Sequence, residues 1–310
     1  MSKGKEIKLF FRTGCLFVIP VVVWVFIAVL VDPYNYFNIS HVFSNQSKEL
    51  SSKQTNTLLY NAIEFSRFPK SKVFIGDSRV KVLSADNSPA FYNLHSNAAK
   101  LNEMIDLFWF ADSYVELEEV YMGVNFNLYN KYAYSNRMSA VSSVLKNPLL
   151  YVFNSNVAEA MWPLIQVSLL NKKINNKPRM TQLEFWDWNI QTKAFQHYSK
   201  YSYPEELYLS LQEMSNYCKG KNIRLTFVIV PHHQEFRGRV CDFKLVEEEQ
   251  SFKDELKKMS RVIDFDYDNE LTRDQNNFGD PIHLTQSMGS KLFQEIVQDS
   301  VVNGIVFDEY

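Results

Sequence analysis

Three short segments hold residues whose types and spacing suit acyl chemistry. Gly76-Asp77-Ser78 directly follows the apolar run Val73-Phe74-Ile75. A serine at the end of a strand stands at the carboxyl edge of a sheet, where α/β proteins assemble their sites. Its hydroxyl is a weak nucleophile alone and needs a base within hydrogen-bond reach. Asp280-Pro281-Ile282-His283 supplies a carboxylate and an imidazole three residues apart. A turn there can set the acid on one ring nitrogen and leave the other free. Gly123-Val124-Asn125 ends another apolar run. An asparagine in that place can aim its amide at an oxyanion, a contact of about 3–4 kcal/mol in a transition state. Each segment also has a plainer reading, as capping turns at 76–78 and 280–285 and a loop asparagine at 125.

Other residues gather at the same edge. Pro231-His232-His233 follows the apolar stretch 223–230, so both histidines are candidate substrate contacts. Adjacent histidines usually point apart and need further ligands to hold a metal, so no metal is expected, and no cofactor. His41, His95 and His197 read as surface or polar-packing residues. Trp186 and Trp188 fit either a sugar-stacking platform or core packing.

The elements that must position these residues follow from the apolar pattern. Strand signals at 73–75, 91–94, 120–123, 223–230 and 262–265 alternate with helical spacing at 101–117, from Pro204 to about Tyr217, and after Thr285. That alternation predicts a three-layer α/β domain with a mostly parallel sheet over residues 71–305. Residues 130–200 break the rhythm with Pro148, Pro163, Pro178 and clustered aromatics, and read as a helical insertion. Residues 33–70 are polar and read as a connection with one short helix.

The amino terminus differs from the rest. Residues 1–12 form a basic cytoplasmic stretch, and residues 13–32 a transmembrane helix. Gly14–Val31 is 18 consecutive residues without a charge, near the ~20 that a bilayer core requires. Lys3, Lys5, Lys8 and Arg12 precede it, which predicts a cytoplasmic N-terminus and an exported remainder. A cleaved signal sequence fits less well, because no small-residue cleavage site follows the run.

Net charge is −2, and the basic N-terminus leaves the remainder more acidic than that. No basic face is present for nucleic acid. Cys218 and Cys241 are separated by the strand read at 223–230. Eight extended residues span roughly 26 Å, beyond the ~7 Å between Cα atoms that a disulfide allows, so no bridge is expected.

Taken in order, Gly76-Asp77-Ser78, Gly123-Val124-Asn125 and Asp280-x-x-His283 resemble the SGNH (GDSL-like) hydrolase family. The resemblance covers roughly residues 70–130 and 220–300. It implies a flavodoxin-like SGNH fold in which Ser78 attacks an ester carbonyl, His283 is its base and Asp280 orients His283. It further implies an oxyanion hole from the Ser78 N–H, a second backbone N–H and Asn125. Ala98, in Asn97-Ala98-Ala99, stands where that family carries an oxyanion glycine, with Asn97 the other candidate. Two further departures are Arg79 in place of a leucine and Phe126 in place of an aspartate. Arg79 and Asn97 join His232 and His233 as possible substrate contacts.

The N-terminal anchor, Asp32-Pro33-Tyr34 beyond it and the helical insertion resemble a narrower group. These are membrane-tethered SGNH-like proteins of bacterial cell-envelope glycan O-acylation, such as alginate acetylation and teichoic-acid D-alanylation. That resemblance implies an inner-membrane, single-pass, extracytoplasmic serine esterase or O-acyltransferase acting on acyl esters of an envelope glycan. It implies a multi-spanning acyltransferase as partner and the bilayer as contact for residues 13–32. The alternative is a non-catalytic glycan- or acyltransferase-binding module with a relic site.

Overall fold

A computed structural model describes residues 3–83, 89–169 and 180–308, with the side chains of residues 3–12, Cys15 and Leu169 outside the description. The chain forms two compact units, Met1–Glu64 with Ser139–Asn176, and Phe65–Met138 with Lys177–Tyr310. The expected insertion at 130–200 is therefore divided. Its middle belongs with the N-terminal segment, and its ends belong with the sheet.

The sheet unit contains strands β1 (Lys72–Gly76), β2 (Phe91–His95), β3 (Glu119–Val124), β4 (Arg224–Ile229), β5 (Arg261–Asp264), the hairpin strands β6 (Phe278–Asp280) and β7 (His283–Leu284), and β8 (Ile305–Phe307). The large sheet runs β2-β1-β3-β4-β5-β8. Its first five strands are parallel, and β8 is antiparallel to β5. The order 2-1-3-4-5 is that of flavodoxin-like doubly wound sheets, whose site lies where the winding reverses between β1 and β3. The strands are apolar on both faces, as parallel sheets require. Phe74, Tyr121, Val228 and Ile263 pack with Leu292, Phe293 and Ile296 of helix Gln286–Val297. Successive side chains point to opposite faces, so Ile75, Met122, Phe227 and Val262 face the other way, and all are buried.

Boundaries moved where polar residues hide the pattern. The helix expected over 101–117 ends at Asp112. Helix Glu205–Lys221 runs through Gly220 and stops at Asn222, which takes the left-handed conformation (φ 57°) suited to asparagine. Helices Gln234–Asp242 and Val246–Met259 occupy a charged stretch that carries little apolar periodicity. Cys218 and Cys241 are free thiols.

In the N-terminal unit, Lys3–Val31 is one helix containing Pro20. Among the described residues, no helix is long and apolar enough to cross a membrane. Of the uncharged run expected to span, residues 14–31, only the Cys15 side chain lies outside the description. Asp32 ends the helix. Its buried carboxylate accepts the backbone N–H groups of Tyr36, Phe37 and Asn38 at 2.8–2.9 Å and the Tyr151 hydroxyl at 2.7 Å. The expected connection at 33–70 holds a long helix, Asn45–Arg67, interrupted at Asn56, whose side chain accepts the Leu59 N–H and restarts it.

Candidate functional site

Two glycines shape the turn that carries the serine. A Cβ added to either Gly76 or Gly123 would lie 2.2 Å from a Val80 methyl. Their bare backbones let Val80 drop over the β1–β3 seam. The reversal closes with the Val80 N–H on the Asp77 carbonyl at 3.1 Å. Ser78 is left half-buried at the tip. Gly289 allows a second close approach, since a Cβ there would sit 2.5 Å from the Val82 carbonyl oxygen. That contact seats helix Gln286–Val297, and the residues leading into it, against the serine turn.

Those residues are the β6–β7 hairpin. Asp280 Oδ1 accepts the N–H groups of Ile282 and His283 at 2.9 and 3.1 Å. Its other oxygen takes the His283 Nδ1 proton at 2.8 Å. His283 Nε2 then faces Ser78 Oγ at 2.8 Å. With Nδ1–H donated to the carboxylate, Nε2 carries the lone pair that accepts the serine proton. Burial pushes the Asp280 carboxyl upward, but the hydrogen bond and charge of His283, with the two backbone N–H groups, outweigh it and hold the group below its ordinary value. Ser78, Asp280 and His283, expected together from sequence, are thus brought into one hydrogen-bonded chain.

No family model matches the chain, and neither does any curated protein.

The candidate oxyanion groups are arranged less simply. Ser96 to Ala99 forms a turn closed by the Ala99 N–H on the Ser96 carbonyl at 3.1 Å. Ala98 adopts a left-handed φ of 55°, a conformation costing an L-residue roughly 1–2 kcal/mol and glycine nearly nothing. Ala98 and Asn97 are both exposed. Asn125 is buried, and its Nδ2 donates to the Val230 carbonyl at 2.6 Å, while its Oδ1 has no partner. One amide hydrogen is spent on the end of β4, so only the other is left for an oxyanion.

The expected contacts Arg79 and His232 turn inward instead. Arg79 is 2% exposed. Its Nε donates to both Asp77 oxygens at 3.0 and 3.1 Å, and Nη1 reaches Asn127 Oδ1 at 2.8 Å and His232 Nε2 at 2.7 Å. His232 Nδ1 donates to Asp266 Oδ2 at 2.9 Å, so its Nε2 accepts from the arginine. Burial holds His232 below the ordinary imidazole value, against the upward pull of Asp266, and so keeps it neutral. Despite burial, Asp77 is held low by Arg79, and Asp266 by its bond to His232 and then by Arg237 and Lys253. A buried guanidinium beside the serine has to be paired, and these residues pair it. His233 is also a brace rather than a contact. It caps helix Gln234–Asp242, its N–H bonds the Pro281 carbonyl at 2.9 Å, and its ring meets the edges of Trp186 and Phe278.

Sequence reading missed two basic groups near the site, and His197, read as a surface or polar-packing residue, packs beside them. Lys193 is within electrostatic reach of Asp280, Arg79 and Asp77, and Lys100 of Asp77 and Arg79. Burial lowers both ammonium groups from their ordinary value. His197 bonds the Asn127 amide at 3.4 Å. Burial, then the neighbouring cations, push it down to about 3. The Lys193–His197 spacing of four on a helical segment was the available signal. Trp186 is buried, with its indole N–H on Glu235 at 2.7 Å. Trp188 is partly exposed and stacks on Phe185. Among the described residues, no group of three His, Cys, Asp or Glu side chains is placed to hold a metal.

Proposed function

We propose that this chain is an SGNH-type serine esterase or O-acyltransferase acting on acyl esters of a bacterial cell-envelope glycan. The single observation that carries this reading is the unbroken chain from Ser78 Oγ through His283 to Asp280, at 2.8 Å per link. His283 takes the serine proton as Oγ attacks the acyl carbonyl. The leaving alcohol receives that proton as the ester bond breaks, giving acyl-Ser78. Water or a glycan hydroxyl then gives its proton to His283 as its oxygen takes the acyl group, and His283 passes that proton to Ser78 Oγ as the acyl–serine bond breaks. The oxyanion is held by the Ser78 N–H, a backbone N–H at Ala98 and the second amide hydrogen of Asn125, as electrostatic preorganisation requires.

The setting is proposed from the N-terminal helix. Leu16, Phe17, Val18, Val22 and Phe26 are each more than half exposed on it. A bilayer is the solvent such a surface suits, and the basic residues before it favour a catalytic unit outside the cytoplasm. A multi-spanning acyltransferase is the proposed donor partner.

A second reading, a non-catalytic glycan- or acyltransferase-binding module, is favoured by two observations. The Asn125 amide is half spent on Val230, and the oxyanion turn carries alanine. Turnover of an acetylated polysaccharide by purified chain, compared with Ser78→Ala, separates the two. Loss of turnover in the variant supports the enzyme. Equal release of acetate by both proteins overturns it.

A further inference from the structure

A short helix in the N-terminal unit is built inside out for a soluble surface. Asn147 caps helix Pro148–Val152 by accepting the Leu149 N–H at 3.0 Å, and Pro148 fixes the first turn. Tyr151 and Val152 face inward. The Tyr151 hydroxyl holds Asp32 at 2.7 Å, and its ring stacks on Tyr36 with centroids 4.3 Å apart. This pinning leaves Leu149, Leu150 and Phe153 pointing out, at 63%, 46% and 56% exposure. Nothing about the helix forces three large apolar residues to face water.

Their position identifies what covers them. Trp24 donates its indole N–H to the Val152 carbonyl at 3.0 Å. Trp24 lies seven residues before Val31, or about 10 Å back along the helix axis. The outward residues therefore stand beside the apolar run rather than beyond its end. The same unit also leaves Phe17, Val18, Val22 and Phe26 of that helix exposed. Lys146, exposed, comes just before them, where a cation meets lipid phosphates.

We propose that Leu149, Leu150 and Phe153 form a pad that inserts at the interface of the bilayer holding the N-terminal helix. This rests on the membrane reading above. The pad gives the N-terminal unit a second membrane contact, far along the chain from the helix. It limits that unit's freedom to rock about a single anchor, and so fixes its height at the lipid surface.

The experiment uses the full chain with Cys15 and Cys241 changed to Ser and an environment-sensitive fluorophore at Phe153→Cys. Cys218 is buried. The chain is reconstituted into phosphatidylethanolamine–phosphatidylglycerol vesicles. The expected result is a blue-shifted emission at 153 that is quenched several-fold more by lipid-borne than by aqueous quencher, with the reverse at a label on Lys219. Vesicle flotation with a water-like label at 153 overturns the pad alone. Failure to float overturns the membrane reading with it. A blue shift that appears without lipid and grows with protein concentration means self-association, and also overturns the proposal. A Leu149→Ser, Leu150→Ser, Phe153→Ser chain is expected to keep its Tm in detergent to within a few degrees, because none of these side chains belongs to the buried core. A large fall in Tm means that they belong to the core.

Discussion

Two carboxylate–imidazole pairs meet the Gly-Asp-Ser-Arg turn at consecutive residues. Asp280 holds His283 against Ser78, and Asp266 holds His232 against Arg79. In both, the acid takes the Nδ1 proton and leaves Nε2 as acceptor. What differs is the donor that Nε2 meets and the access of water. The His283 side chain is 29% exposed and faces a hydroxyl that can give up its proton. The His232 side chain is 3% exposed and faces a guanidinium that cannot. The same pair can therefore act as a base in one place and only as a strut in the other. An Asp–His pair is not evidence of catalysis until its second nitrogen is shown to face a transferable proton in an open cleft.

Substitutions can break this contrast, and the largest effect is expected at the open pair. Ser78→Ala and His283→Ala should each lower ester turnover by about 10³-fold or more, because members of a triad act as a unit. The check is initial rates on an activated acetyl ester, with Tm confirming the fold. At the closed pair the effect should fall on stability. Arg79→Met leaves the Asp77 carboxylate buried without its cation and should cost about 3–5 kcal/mol in urea unfolding. Arg79→Lys should recover part of that. His232→Gln is expected to be milder, about 1–3 kcal/mol, since it leaves Asp266 its contact with Arg237.

Acid sharpens the same contrast. Asp77, Asp266 and Asp280 have folded values below their unfolded ones. Their contribution is therefore complete above about pH 4 and is lost as pH falls toward the lower folded values. His197 acts earlier. Its folded value is pushed down to about 3, so the unfolded chain takes up a proton near pH 6.5 that the folded chain refuses. Stability should fall from about pH 6.5 downward, by at most about 1.4 kcal/mol per pH unit from this group. His197→Gln should flatten the urea midpoint between pH 4 and 6.5. An unchanged slope removes His197 from the account. The smallest expected effect is at Ala98. Ala98→Gly relieves a left-handed alanine and should raise stability by at most about 1 kcal/mol, with turnover equal or higher.

Much of this was legible in the residues because it is local. The parallel strands announce themselves as short apolar runs, and an Asp three residues before a His can reach its own ring through one turn. The closed pair was not legible, because it is assembled from four places. Asp77, Arg79, Asn127, His232 and Asp266 come from the ends of β1, β3, β4 and β5. Only the strand order brings them together, so an arginine beside the serine read as a substrate contact. The glycines were read as part of motifs, yet Gly76 and Gly123 serve one methyl of Val80. The division of residues 130–200 between two units depends on packing such as the Ser51 hydroxyl on the Ala160 carbonyl at 2.5 Å, which no local pattern encodes.

The central claim is that Ser78 is the activated hydroxyl and that the open pair activates it. Peptide mapping after treatment with a fluorophosphonate tests this most directly. The account predicts one adduct, on the peptide carrying Ser78, absent in Ser78→Ala and strongly slowed in His283→Gln. An adduct on another serine, or equal labelling of wild type and Ser78→Ala, would contradict it.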